Sequence, residues 1–249
     1  MRALRISMIT VVVLGILFVA ADRIAVMIAE SEAADRIRST QGLSATPEVS
    51  IKGFPFLTQV AGKHLEAVDI SVSGLDASAG GHTVEVSEVR AELVDVEIAG
   101  NFTTAVAGRA EGSARISYED LTKAAPKGAT VTYAGPERAA KGQVKIAGPA
   151  LQLLKSAGIE VPETVRGMLS GEEIVVHSTV EPAEGGAVRL KADSLPDVPV
   201  PGYDGQLRQA VDYEMQIDGL PAGIRLDRAK ASETGLTFLG TGRDVSLVG

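Results

Sequence analysis

Arg2 and Arg5 precede an apolar run from Ile6 to Ala21 that is interrupted only by Ser7 and Thr10 and stops at Asp22-Arg23. A basic flank, an apolar stretch and the small residues Val19-Ala20-Ala21 form the layout of an export signal. As a helix rising ~1.5 Å per residue the run spans roughly 24 Å, short of the ~30 Å hydrocarbon core of a bilayer. Cleavage after Ala21 is therefore the expectation; an uncleaved N-terminal anchor is the alternative, and a buried core helix the third reading. Each of the first two places the rest of the chain outside the cytoplasm, in a periplasm-like space or the cell envelope. The expected organisation is a signal peptide or membrane anchor over 1–21 and a single domain over 22–249.

That domain has the material for a core, because 45% of the 249-residue chain is apolar. Only 4% is aromatic and there is no Trp, so the apolar content is aliphatic and favours sheet. The net charge is −8, and the segment up to Ala21 carries Arg2 and Arg5 but no acid, so the remainder is more acidic still. Nucleic acid is excluded as a natural partner, and so is attraction to anionic bilayers through a general basic field. Cysteine is absent, which removes disulfides and thiolate metal sites.

From Asp22 to Arg38 the residues Ile24, Met27, Ile28, Ala34 and Ile37 recur at helical spacing, which predicts an amphipathic helix ended by Gly42 and Pro47. Period-two alternation follows. Val68, Ile70 and Val72 alternate with polar residues, as do Tyr213, Met215 and Ile217, which predicts half-buried strands. Between Thr83 and Ile98 the apolar phase starts on Val84 and Val86, shifts to Val89, Ala91 and Leu93, and returns on Val94, Val96 and Ile98. Two bulges in one long curved strand explain those slips; two strands with a tight break between them are the alternative.

Further short strands are predicted around Ala114 to Tyr118, Val131 to Tyr133, Val144 to Ile146, Ile174 to Val180, Val188 to Ala192, Ile224 to Leu226, Leu236 to Phe238 and Val245 to Leu247, with Gly74, Gly100, Gly148 and Gly219 as punctuation. Ser117 with Asp120 predicts a capped helix stopped by Pro126, and Pro149 opens another that Gly158 closes. A weaker helix is predicted near Asp204 to Asp212. The stretch Leu195 to Pro201 reads as a stiff connector and a subdomain seam at 195–201.

Catalytic groups do not converge in this sequence. His64, His82 and His177 have no partners at metal-ligand spacing, no Ser sits in a nucleophile elbow, and no phosphate-cradling glycine run is present. Glu172-Glu173 and Asp193 read as solvated strand ends, and Asn101-Phe102-Thr103 is a lone acceptor sequon. The expectation is a non-enzyme, with no catalytic residue, no metal and no cofactor. A hydrolase or transferase built on dispersed carboxylates ranks last.

The segment that stands out is Ile51 to Val60, IKGFPFLTQV. With Phe18 set aside few Phe remain, and two of them flank Pro55, which fixes its own φ and holds Phe54 extended. Such rings, backed by Leu57 and Val60, suit a core plug, the mouth of a lipid site or membrane-dipping loop, or a protein contact.

At this motif the chain resembles the LmeA family, phospholipid-binding proteins of the actinobacterial envelope. Matching features run in order: the export signal, Asp22-Arg23-Ile24-Ala25 opening a helix, Gly42-Leu43, Gly53-Phe54-Pro55-Phe56-Leu57-Thr58-Gln59, a strand ending at Gly74-Leu75, and Leu220-Pro221 leading to Gly235-Leu236. The resemblance implies an α+β, β-dominated fold in which a long curved antiparallel sheet wraps an N-terminal helix, in the manner of tubular lipid-binding proteins. It also implies that phospholipid is the ligand and, in one branch, that the protein supports maturation of mannose-bearing lipoglycans. The expected lipid contacts are Phe54, Phe56, Leu57 and Val60, with Ile24 and Ile28 of the helix and Val68 and Ile70 of the next strand. The expected partners are phospholipid and a membrane surface; a structural envelope domain with a closed core is the competing reading.

Overall fold

The computed structural model describes residues 2–79, 82–99, 104–125, 127–156, 158–193, 212–216 and 223–247. The connector Leu195 to Pro201, the helix near Asp204 to Asp212 except Asp212 itself, the sequon Asn101-Phe102-Thr103 and Leu220-Pro221 lie outside the described residues. The fold is α+β and β-dominated, with a long N-terminal helix and antiparallel sheets.

Helix α1 runs unbroken over Arg2–Gln41. The apolar run and the predicted amphipathic helix are therefore one element, because nothing between Ala21 and Ile24 disfavours helix. At its end Gly42 adopts φ +62° and the Leu43 N–H donates to the Arg38 carbonyl, 3.0 Å away, the Schellman closure that a C-terminal glycine permits. The upper part is bare: Leu4 is 78% and Val19 45% exposed, which removes the buried core helix from consideration.

The packing face of α1 differs from the predicted one. Of the predicted positions Ala34 is buried, but Ile24, Met27 and Ile28 are 59%, 66% and 64% exposed, and Asp22 and Val26, outside the predicted stripe, are buried with Ala34. A 3.6-residue period identifies stripes without saying which one meets the protein. Here the small stripe wins, because Ala34 and Val26 allow close approach while Asp22 and Glu30 bond to backbone on neighbouring elements.

One sheet has the order β1 (Glu48–Lys52), β2 (His64–Ala79), β3 (His82–Ala99), β4 (Thr104–Ile116), β11 (Gly235–Ser246), β10 (Ile224–Ser232). β1 and β2 pair antiparallel with Val49 opposite Ile70 and Ile51 opposite Val68. β3 is a single strand, and its deeply buried residues Val84, Val86, Leu93 and Val96 shift parity in the order read from the sequence. At the second shift Asp95 takes φ +56°, a left-handed residue of the kind that bulges introduce. β2 does not end at Gly74; the glycine sits inside the strand at φ +67°, an irregularity rather than a stop. Likewise Leu236–Phe238 and Val245 belong to one strand, β11, and Tyr118 belongs to a helix rather than to β4.

The second sheet has the order β5 (Thr130–Tyr133), β6 (Gln143–Pro149), β7 (Glu173–Pro182), β8 (Ala187–Ala192), β9 (Tyr213–Gln216). Helix α3 (Tyr118–Ala124) is capped by Ser117, whose hydroxyl accepts from the Asp120 N–H at 3.1 Å, as the sequence predicts. Helix α5 (Ala150–Ser156) follows Pro149 and is closed near Gly158 at φ +75°. The one- and two-turn helices α2 (Phe56–Ala61), α4 (Pro136–Ala139) and α6 (Glu163–Leu169) are too short to show periodicity, although each starts at a proline: Pro55, Pro136 and Pro162.

The chain forms two compact units: 1–72, 90–111 and 242–249 in one, 73–89 and 112–241 in the other. In the second, Val131, Val144, Val180, Val188, Leu236 and Phe238 form one core cluster, and Ala150, Leu154, Leu169, Ile174, Val176 and Ala192 another. The candidate site lies within the first.

Candidate functional site

The conspicuous motif makes a corner where β1 ends, α2 begins and α1 passes by. Its residues divide by what they do. Gly53 takes φ +90°, a left-handed conformation that strains any residue with a side chain and favours glycine at the turn. Gln59 ties two strands to α2: its Oε1 accepts from the Glu66 N–H at 2.8 Å and its Nε2 donates to the Lys52 carbonyl at 3.2 Å. Thr58 Oγ1 donates to the Pro55 carbonyl at 2.8 Å and so closes the first turn of α2. The Phe54–Pro55 peptide bond is cis.

The apolar residues separate just as sharply. Phe56 is 6% exposed and Val68 8%, so both belong to the interior. Phe54 is 55% and Leu57 36% exposed, and they face outward from the same corner. Val60 and Ile70 are half-buried behind them, while Ile24 and Ile28 stand exposed on α1. The expected contacts are thus a buried pair, a half-buried pair and four exposed side chains. Ile24 and Ile28 lie on the side of α1 opposite the buried Val26 and Ala34.

Asp22 is the residue that sequence reasoning missed as part of the site. It is 0% exposed, accepts from the Leu57 N–H at 2.8 Å and pairs with Arg23 Nη2 at 2.6 Å. Pro55, at the cap position of α2, makes no side-chain cap bond. A carboxylate on α1 therefore satisfies the amide that the missing cap leaves open. Arg23 in turn stacks over Phe54, with Cζ 5.3 Å from the ring centroid. Glu30 repeats the device one level along, accepting from the Ile51 N–H of β1 at 2.7 Å. In the sequence the only signal was Asp-Arg directly after the apolar run, where it read as the end of an export signal.

Among the described residues no group of three or more His, Asp and Glu is placed to hold a metal ion. His64 Nε2 lies 4.0 Å from Asp95 Oδ1, both exposed. His177 is half-buried on β7; burial, then the nearby Arg138 and Lys145 charges, hold its pKa below the usual value despite Asp193. An imidazole depressed this way stays neutral at pH 7, and the unfolded chain takes up its proton first as pH falls below ~6.5. Stability therefore declines on acidification from about pH 6.5 down to the folded-state value. His177→Gln is expected to flatten that part of the stability profile, and a proton NMR titration of the wild-type chain to place the His177 midpoint below 6.5.

No curated protein and no solved structure matches the chain. A family model does: the LmeA-like phospholipid-binding model matches residues 20–241, beginning at the foot of the apolar run and taking in both units. With residues 20–241 of 249 under that match, and the Gly53 to Gln59 motif built as a structural corner within it, the chain belongs to the LmeA-like phospholipid-binding family.

Proposed function

We propose that this protein is an exported, non-catalytic phospholipid-binding protein of the cell envelope, and that it contacts acyl chains at the corner formed by α1, α2 and β1. The carrying observation is the family match over residues 20–241. What supports this location is the division of labour in the motif: Gly53, Thr58 and Gln59 hold the backbone and Phe56 fills the interior. Phe54, over which Arg23 stacks, and Leu57 are turned to the outside.

On this reading Phe54 and Leu57 touch the lipid first, Ile24 and Ile28 extend the apolar surface along α1, and Val60 and Ile70 back the corner. Phe56 and Val68 act from inside by keeping it rigid. Each buried CH₂ contributes about 0.8 kcal/mol, so several methylenes of one acyl chain are enough for useful retention. The helix α1 is long and apolar enough to cross a membrane, which supports export by a signal or anchor. Lipid exchange between membranes is the natural use of such a site.

The test is native mass spectrometry of the chain extracted in mild detergent. Phospholipid is expected to remain bound, and its mass identifies the head group. A lipid-free mass together with no uptake from phospholipid vesicles would leave the competing reading, an envelope scaffold with a closed core.

A further inference from the structure

The apolar surface of α1 does not stop where the apolar sequence stops. Asp22 and Arg23 end the run from Ile6 to Ala21 in the sequence, yet Asp22 is turned inward onto α2 and Arg23 is paired to it and stacked on Phe54. Asp22 is thereby withdrawn from the outer face, while the Arg23 side chain stays 47% exposed with its charge paired to Asp22. That face continues through Ile24, Met27 and Ile28, all more than half exposed, and becomes polar only at Ser31, Glu32 and Asp35. From Leu4 to Ile28 a helix rising ~1.5 Å per residue covers about 37 Å, more than the ~30 Å hydrocarbon core that the run to Ala21 fails to span.

From this we infer that α1 is retained uncut as a membrane anchor, embedded as far as Ile28, and that Phe54 and Leu57 dock into the interface of the same bilayer beside it. The lipid bilayer is the partner because the exposed apolar stripe is continuous with the membrane-crossing stretch. The depths agree: Asp22 and Arg23, which hold α2, lie about 9 Å from Ile28 towards the apolar end of the helix. Interfacial apolar side chains insert ~5–10 Å below the headgroup boundary. Arg23 suits that level, since its guanidinium covers the Phe54 face while its stem remains in the apolar layer.

Cleavage after Ala21 conflicts with the same geometry. It would make Asp22 the first residue, in a terminal turn whose amides have lost their partners and which frays. Asp22 is the residue that must stay fixed to satisfy the Leu57 amide. The inference deepens the lipid-contact reading of this corner, but it stands or falls separately.

The chain has no cysteine, so Ile28→Cys, Leu57→Cys and Asp35→Cys each carry one fluorescent label on an exposed position of the full-length protein. Reconstituted in phosphatidylcholine–phosphatidylglycerol vesicles with spin-labelled lipid, the labels at Ile28 and Leu57 are expected to be quenched at least about twofold more than the label at Asp35. The intact mass of the membrane-extracted wild-type chain is expected to include the segment before Asp22. A mass beginning at Asp22, or quenching at either Ile28 or Leu57 no greater than at Asp35, overturns the inference. Phospholipid retained by a chain cut after Ala21 would overturn the anchor and leave the binding function intact.

Discussion

Phe56→Ala destabilises the fold by about 3–5 kcal/mol, whereas Phe54→Ala changes stability by no more than about 0.5 kcal/mol and lowers phospholipid uptake. The two rings are separated by one proline and are chemically identical, so the contrast isolates position. Phe56 is 6% exposed at the first turn of α2, and its removal leaves a cavity that a turn tied down by Asp22, Thr58 and Gln59 cannot close. Phe54 is 55% exposed, and truncating it removes surface that faces lipid or solvent. Chemical denaturation of both variants in the same detergent, alongside uptake of fluorescent phospholipid, decides the matter. Equal stability losses with intact uptake would make both rings core residues and remove Phe54 from the lipid site.

Gly235→Ala is expected to be the most damaging single-methyl change in the second unit, costing more than about 4 kcal/mol or preventing accumulation of the folded chain. Gly235 opens β11 at φ +150°, and a Cβ there would fall on the Ile116 carbonyl oxygen, with the Ser117 Cα 3.1 Å away. Those atoms are backbone at the end of β4 and the cap of α3, so no side chain can swing aside. The next residues, Leu236 and Phe238, enter the core cluster with Val131, Val144, Val180 and Val188; displacing the start of β11 displaces them too. Denaturation midpoints of Gly235→Ala and of the exposed control Gly171→Ala separate this close approach from left-handed backbone strain. Gly171 has φ +92° but open space around it. Similar losses in the two variants would show that conformation, and not the contact with Ile116, sets the cost.

The strands were legible because burial on one face imposes alternation, and alternation survives in the sequence even where the strand is irregular. The shifts in β3 from Val86 to Leu93 and from Leu93 to Val96 are visible as changes of parity, whichever partners the strand has. Capping was legible for a similar reason: Ser117 and Asp120 interact across one turn, a distance set by helix geometry alone. The short helices were not, because α2 has six residues, fewer than two turns, and offers no period to read.

The site was half visible. Its motif stood out through Phe54, Pro55 and Phe56 in an aromatic-poor chain, but exposure distinguishes the two rings, and exposure depends on where α2 is set down. Helix α1 shows the same limit, since the sequence offers both a face of Ile24, Met27 and Ile28 and a face that holds Val26, and Ala34 of the predicted set is buried with the latter. Choosing the buried one required β1 and α2 as neighbours.

By itself, then, the sequence determined the long apolar start and most of the strands, which follow from local periodicity, and through the motif from Gly53 to Gln59 it carried the resemblance that gave the family and the class of fold. Only the tertiary structure decided that Asp22 turns inward across 35 residues of chain to the Leu57 amide, taking with it the charge that had appeared to end the apolar run. A carboxylate's effect on its surroundings depends on the donor it meets, and that donor is supplied by folding.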